Sequence, residues 1–403
     1  MKTSVKKIMM SMRISAVLLS MVLLFACCKA SNNNTNNTET PEITIEQELQ
    51  NVMGRNNAVG LVVVAVKDGE IIYNKSLGYK NLDNRAPIED DDVMRIASIS
   101  KSFTAIGILQ LIEEGKISLD SDVSDIMGFT IRNPKYPETP ITVGMLLSHI
   151  SSMSDSNGYF TLNNLHRDSS ATWEKAWNDY APGSKYQYCN LGYNTLGAIL
   201  EKVSGERFDK YIENHIIKPL GLYASHNAMS LDANKFINLY NYSSAEKGFR
   251  LSATAYQSIE KDLENYVMGY STPLFSPTGG LKISALDLAK VMMMHMNYGS
   301  LDDIKILDRS SCEKMQSKIT PTNYRNEYYG MGIITTDNLL KGHTLTGHDG
   351  LALGAYTAMY WNKEENYGFV VFTNGCNGET EYDFANILCE SVECMYNYLI
   401  KEK

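Results

Sequence analysis

Hydrophobic and polar positions change period several times along the chain, and each change marks an element. A short helix is predicted over Ile45–Met53. Leu61-Val62-Val63-Val64-Ala65-Val66 and Glu70-Ile71-Ile72-Tyr73 then flank Asp68-Gly69. Asp-Gly between two β-rich runs suits a type I′ hairpin. Phe103, Ile106, Leu109, Leu111 and Ile112 recur at helical spacing and stop near Gly115. From about residue 98 to 290 the pattern reads mostly as helices and loops. Strands return at Tyr329–Thr335, Tyr356–Trp361 and Phe369–Thr373, and a last amphipathic helix is predicted over Tyr382–Leu399. That order gives an α/β (α+β) fold, with one antiparallel sheet formed from both chain ends, flanked by helices. A helical subdomain is inserted roughly over 98–290, and the cleft between sheet and insert is the default site.

Upstream of this pattern, Ile14–Ala26 is apolar except for Ser15 and Ser20, and Lys2, Lys6, Lys7 and Arg13 precede it. Such a run is too short to span a bilayer and has the build of a secretory signal. It ends Leu24-Phe25-Ala26-Cys27, which resembles a bacterial lipobox. Residues 1–26 are therefore read as a lipoprotein signal peptide, with Cys27 as the lipidated residue and Cys28 as a weaker rival. Residues 27–42 form an Asn/Thr-rich tether, and the folded domain runs over 43–403. An exported bacterial lipoprotein, held on a membrane by its lipid and facing the periplasm or the cell surface, is the expectation.

The chain of 403 residues carries a net charge of -9, which excludes a generic nucleic-acid binder. Loss of the signal removes four basic residues and no acid, so attachment to anionic lipid falls to Cys27 alone. Cys189, Cys312, Cys376, Cys389 and Cys394 form neither a CxxC nor an even set, so no disulfide framework or zinc ribbon is expected. The seven His show no metal spacing, and no metal or cofactor is predicted. The 25 Tyr against 11 Phe suggest a polar-aromatic surface.

Ser-x-x-Lys occurs five times, at Ser4, Ser98, Ser244, Ser258 and Ser311, but only Ser98 opens a long apolar helix. Ser98 and Lys101 then share one helix face. A Ser hydroxyl needs an adjacent base, and a buried Lys can lose enough basicity to serve as one. The second element is Tyr188-Cys189-Asn190, and the third is Gly347-His348-Asp349-Gly350.

In this order the three motifs resemble the serine β-lactamase and penicillin-binding protein superfamily, closest to class C β-lactamases, D-peptidases and β-lactamase-like esterases. Leu146-Leu147-Ser148-His149-Ile150-Ser151-Ser152-Met153, Pro277-Thr278-Gly279-Gly280-Leu281 and Phe372-Thr373-Asn374-Gly375 add to the resemblance, which covers about residues 45–400. It implies a β-lactamase/transpeptidase-like fold. It also implies that Ser98 attacks a carbonyl to form an acyl-enzyme, and that Lys101 and Tyr188 share the proton work. Tyr188 serves as base only if Lys101 lowers its phenol pKa. Asn190 would orient the substrate amide or Lys101. The backbone N–H groups of Ser98 and Leu351 would bind the oxyanion, and Gly350 would let substrate lie against the strand. His149 and Cys189 are expected to be structural.

His348 stands where typical β-lactamases carry Lys. A His is charged only part of the time near neutral pH, which fits esterases, D-aminopeptidases and acyltransferases better than enzymes gripping a substrate carboxylate. The expected function is a serine acyl hydrolase acting on an ester or amide of a small molecule or D-amino-acid peptide. The alternatives are an acyltransferase passing the acyl group to an alcohol such as a sterol or polyketide, a true β-lactamase, and a penicillin-binding sensor without turnover. The expected partners are a small-molecule acyl donor and, for transfer, a hydroxyl acceptor.

Overall fold

The computed structural model describes residues 43–382 and 384–401. The predicted signal peptide, tether and lipidated Cys27 lie outside the described residues. The first element shows how locally the fold is written. Helix α1 (Ile45–Arg55) starts at Thr44, whose side chain accepts from the Gln47 N–H while the Gln47 side chain accepts from the Thr44 N–H.

Strands β1 (Gly60–Lys67), β2 (Glu70–Asn81) and β3 (Ala86–Pro87) come from the N-terminal side. Strands β4 (Thr320–Pro321), β5 (Glu327–Tyr329), β6 (Ile334–Thr336), β7 (Leu345–Ala352), β8 (Ala355–Asn362) and β9 (Tyr367–Thr373) come from the C-terminal side. They form one nine-stranded sheet in the order β4-β5-β6-β7-β8-β9-β1-β2-β3. Every neighbouring pair is antiparallel. The two ends of the chain join where β1 pairs with β9, from Leu61↔Thr373 to Lys67↔Tyr367. Asp68 and Gly69 take φ of 53° and 83°, as a type I′ turn requires.

The run of Val in β1 has a two-sided cause. Leu61, Val63 and Ala65 face a core with α1 and α5 (Asn386–Met395), while Val62, Val64 and Val66 face the core on the opposite side of the sheet. That second core holds α2 (Ser100–Glu113), α3 (Asn190–Ser204) and α4 (Ala285–Met296). A strand covered on both faces reads as continuous hydrophobics. In α2 every residue from Ser100 to Leu109 is buried, so this helix has no solvent face over that stretch. At Gly107 a Cβ would lie 2.5 Å from Leu200, so the glycine sets how closely α2 approaches α3.

Three expectations change. The single strand over Tyr329–Thr335 is two strands, because Gly332 adopts φ +74° and presses the chain against Lys101 and Ser102 of α2. The third motif lies within a strand of its own, β7, just before β8, the strand that carries Tyr356. The insert is not wholly helical: it holds a hairpin (Tyr240–Ser243 with Gly248–Leu251) and a small sheet of Met94–Arg95, Lys282–Ile283 and Ala224–Ser225. The last helix begins at Asn386 rather than Tyr382 and ends in a wide turn over Tyr396–Ile400. No helix among the described residues is long and apolar enough to cross a membrane.

Candidate active site

Ser98 sits in a tight turn over Ala97–Ile99 that runs directly into α2. Ala97 is held at φ 47°, a left-handed conformation that costs a non-glycine residue about 1–3 kcal/mol. The turn is pinned to the sheet. The Thr357 hydroxyl donates to the Ile96 carbonyl at 3.0 Å. A Cβ at Gly350 would meet that carbonyl oxygen at 2.4 Å and the Ala97 Cβ at 3.0 Å. Gly350 therefore makes room for the Ser98 turn, not for substrate as the sequence suggested.

Ser98 makes no capping bond to α2. Its Oγ instead lies 3.1 Å from Lys101 Nζ, which also donates to the Thr278 carbonyl at 2.8 Å. Lys101 is fully buried with no carboxylate at ion-pair distance among the described residues. Burial pushes its ammonium down to about 7, against a smaller opposing pull from Asp155 and Asp349. Lys101 Nζ lies 4.7 Å from the centroid of the Tyr188 ring. The Tyr188 phenol is raised well above its ordinary value by burial, partly offset by its hydrogen bond with Ser98. The condition for Tyr188 to act as base, a phenol lowered by Lys101, is therefore not met, since desolvation of a phenolate dominates here.

Asn190 begins α3. Its Nδ2 donates to Asp155 Oδ2 at 2.9 Å, and its Oδ1 accepts from the Thr278 hydroxyl. Asn190 thus meets Lys101 through Thr278, with no direct hydrogen bond to it. Asp155 also accepts from the Asn190 and Leu191 N–H groups at 2.9 Å each, capping a helix whose N-cap, Cys189, has no oxygen to offer. Cys189 is buried as expected, with Sγ 3.3 Å from Asp155 Oδ1.

His348 is buried on β7. Its Nδ1 lies 2.6 Å from the Asp349 carbonyl, which can only accept, so Nδ1 carries the proton. Nε2 then accepts from the Tyr329 hydroxyl at 3.2 Å. Burial, with Lys101 nearby, pushes the imidazole down to about 3. His348 is therefore neutral throughout the physiological range, not partly charged. His149 packs its ring 4.4 Å from Tyr188 and 4.6 Å from Tyr329, and its Nδ1 accepts from the Cys189 N–H at 3.1 Å.

Tyr193 and Tyr329 are buried in this same cluster. Part of the tyrosine surplus is site architecture rather than surface.

The structure thus brings Ser98, Lys101, Tyr188, Asn190 and His348 together. Sequence reasoning missed Asp155, Tyr329 and the carbonyl role of Thr278. Only Thr278 had a signal, lying inside the Gly-Gly segment; Asp155 and Tyr329 are joined to the site by chain folding alone. Two cavities open on Ser98. One, of about 340 Å³, includes Tyr186, Tyr188, Glu327, His348 and Asp349 in its wall. The other, of about 450 Å³, includes Arg95, Tyr159, Phe160 and Thr278. Ser98, Asn190 and Leu351 belong to both. A larger cavity of about 740 Å³, around Phe129 and Trp173, contains no motif residue. Three carboxylates, Glu89, Asp91 and Asp92, lie close enough to share a cation, but Asp92 pairs with Lys80 at 2.9 Å and Asp91 with Lys235.

This sheet, flanked by helices, with a Ser–Lys–Tyr cluster where the insert meets it, defines the β-lactamase/transpeptidase-like class of fold. The Beta-lactamase family model matches residues 45–390, and the chain belongs to that family. It is 26% identical over 338 residues to Protein flp of Staphylococcus aureus (strain MRSA252), covering 82% of this chain. The chain spans only 61% of that relative's length. Among solved structures it is similar to the octameric penicillin-binding protein homologue from Pyrococcus abyssi, with TM-score 0.71 and 26% identity over 88% of this chain and 77% of that one. The D-amino acid amidase from Ochrobactrum anthropi SV3 shares the fold at TM-score 0.67 and 20% identity, over 88% of this chain and 99% of that one.

Proposed function

We propose that the protein is a serine acyl hydrolase that works through a Ser98 acyl-enzyme on an ester or amide. The observation that carries this reading is the 3.1 Å contact between Ser98 Oγ and Lys101 Nζ, an amine that burial holds near neutrality. The neutral amine takes the Ser98 proton as Oγ bonds to the carbonyl carbon. The oxyanion develops toward the Ser98 and Leu351 N–H groups. Tyr188, held protonated by burial beside Ser98, passes its proton to the departing alcohol or amine and regains one from Lys101. Water then enters by the reverse route and frees Ser98. Neutral His348 holds Tyr329 and the strand in place and supplies no positive charge to the substrate.

An alcohol competes with water at the acyl-enzyme stage, and the side chain of Leu351, 60% exposed, offers an apolar lip beside Ser98. Acyl transfer is therefore the second reading. The test is intact-protein mass after quenched exposure of wild type and Ser98→Ala to p-nitrophenyl acetate and, separately, to benzylpenicillin. An ester-derived adduct that forms on wild type, clears with time and is absent from Ser98→Ala is the expected result. Clearance of a penicillin adduct identifies a β-lactamase, and labelling of Ser98→Ala overturns the nucleophile. Ester products that appear only when an alcohol is added mark transfer.

A further inference from the structure

Arg95 stands three residues before Ser98 and lines the second cavity. Its Nε donates to the Gly279 carbonyl at 2.8 Å, and its Nη2 lies 3.4 Å from Ser276 Oγ. A guanidinium carries five N–H donors, so these two contacts leave most of its capacity unused. No carboxylate among the described residues lies at ion-pair distance from it, although the chain as a whole is acidic. A second, buried cation stands close by. Lys282, buried and with no carboxylate at ion-pair distance among the described residues, donates to the His226 carbonyl at 2.7 Å. Its ammonium is pushed down to about 7, by burial first and by Arg95 second. A partly buried cation without a counter-ion is unfavourable. The cost is offset when a ligand brings the negative charge, and the bidentate guanidinium fork matches a carboxylate.

We propose that this cavity is the subsite for a carboxylate on the substrate, with Arg95 as the cation that holds it. The inference rests on the acyl-hydrolase reading and deepens it. Anion recognition moves from the third motif, where His348 is neutral, to the strand that leads into the nucleophile's turn. Tyr159, Phe160 and the hydroxyls of Thr254 and Thr278 complete a wall suited to the carbon skeleton that bears the carboxylate. The substrate class is then an ester or amide with a carboxylate close to the scissile bond.

Two matched pairs of esters test this, because the carboxylate can sit on either side of that bond. The first pair is mono-p-nitrophenyl glutarate against p-nitrophenyl pentanoate. The second is 3-carboxyphenyl phenylacetate against phenyl phenylacetate. Wild type is expected to favour the carboxylate member of one pair by about tenfold or more in kcat/KM, through KM. Arg95→Gln, which keeps a donor for the Gly279 carbonyl, should abolish that preference and leave the neutral member within about threefold. If Arg95→Gln does not fold, Arg95→Lys takes its place and should shrink the preference without lowering the neutral member. No preference in wild type overturns the proposal without any variant. A preference that survives Arg95→Gln, or an equal fall in both members, also overturns it and leaves Arg95 a structural role. Turnover of the neutral esters that survives Ser98→Ala defeats the underlying reading, which the carboxylate preference does not address.

Discussion

Lys101 shows most directly how burial turns an ordinary residue into a chemical one. Between its unfolded value near 10.4 and its folded value of about 7, the unfolded chain binds this proton and the native chain does not. Lys101 therefore costs the fold most at and below about pH 7, and that cost falls away as pH rises to about 10.4. Catalysis runs in the same direction, because only the deprotonated amine can take the Ser98 proton. Acylation by an activated ester should rise tenfold per pH unit below about 7 and level off above it. The plateau should continue toward pH 10, because the Tyr188 phenol is held protonated by burial. Lys101→Met should lower acylation by about 10³-fold and yet raise Tm by a few degrees at pH 7, a gain that shrinks as pH approaches 10. Stopped-flow acylation and thermal scans at matched pH check both halves. A variant that is inactive and also less stable at pH 7 would contradict the desolvated-amine account. Ser98, Lys101, Tyr188, Asn190 and His348 were legible from motif order. Their protonation states were not, because a phenol and an amine share one cluster only after burial sets which gives up its proton.

At the scale of elements, the sequence announced what rested on local pattern. The β1–β2 hairpin was carried by Asp68-Gly69, and α2 by its apolar repeat up to Gly115. Strand β7 was hidden. Gly347, His348, Asp349 and Gly350 are poor strand formers taken alone, and only pairing with β6 and β8 makes them one. The split between β5 and β6 was hidden for a related reason: Gly332 bends the chain to meet α2, a contact with no local signal. These two irregularities lie against the start of α2, so the site itself supplies the tertiary terms that override propensity. Gly350→Ala tests this directly. Its new methyl would stand 2.4 Å from the Ile96 oxygen and 2.5 Å from Thr357 Oγ1, and backbone on one side cannot yield cheaply. The Ser98 turn should be pushed from β7, lowering kcat by about 10²-fold, as misplacement of about 1 Å does. Far-UV circular dichroism should remain that of wild type. Unchanged kcat would show that the turn does not depend on β7 for its position.

Over the whole molecule, two electrostatic effects predict opposite responses to acid. The chain has a pI of about 5.4, so lowering pH toward that value removes net repulsion and favours the compact state. Against this stand buried imidazoles in separate parts of the structure. Burial pushes His226 down to about 3, His295, stacked on Trp361, to about 4, His348 to about 3, and His149 well below its ordinary value. Each is neutral in the native state and protonates near 6.5 once unfolded. Their contribution is complete above about pH 6.5 and is lost progressively as pH falls toward 3–4. At pH 5 that amounts to roughly 2 kcal/mol for each, at 1.36 kcal/mol per unit. Diffuse repulsion between surface charges is screened beyond about 8 Å at physiological salt, so the specific effect should win. Urea midpoints measured from pH 8 to pH 4.5 should fall steadily below about 6.5, passing through the pI without a maximum. His295→Gln, away from Ser98, should flatten that fall by about a quarter while leaving ester turnover at pH 8 intact. A stability maximum near pH 5.4 would mean that surface charge governs this fold instead, and that the buried histidines gain water or partners before they are asked to ionise.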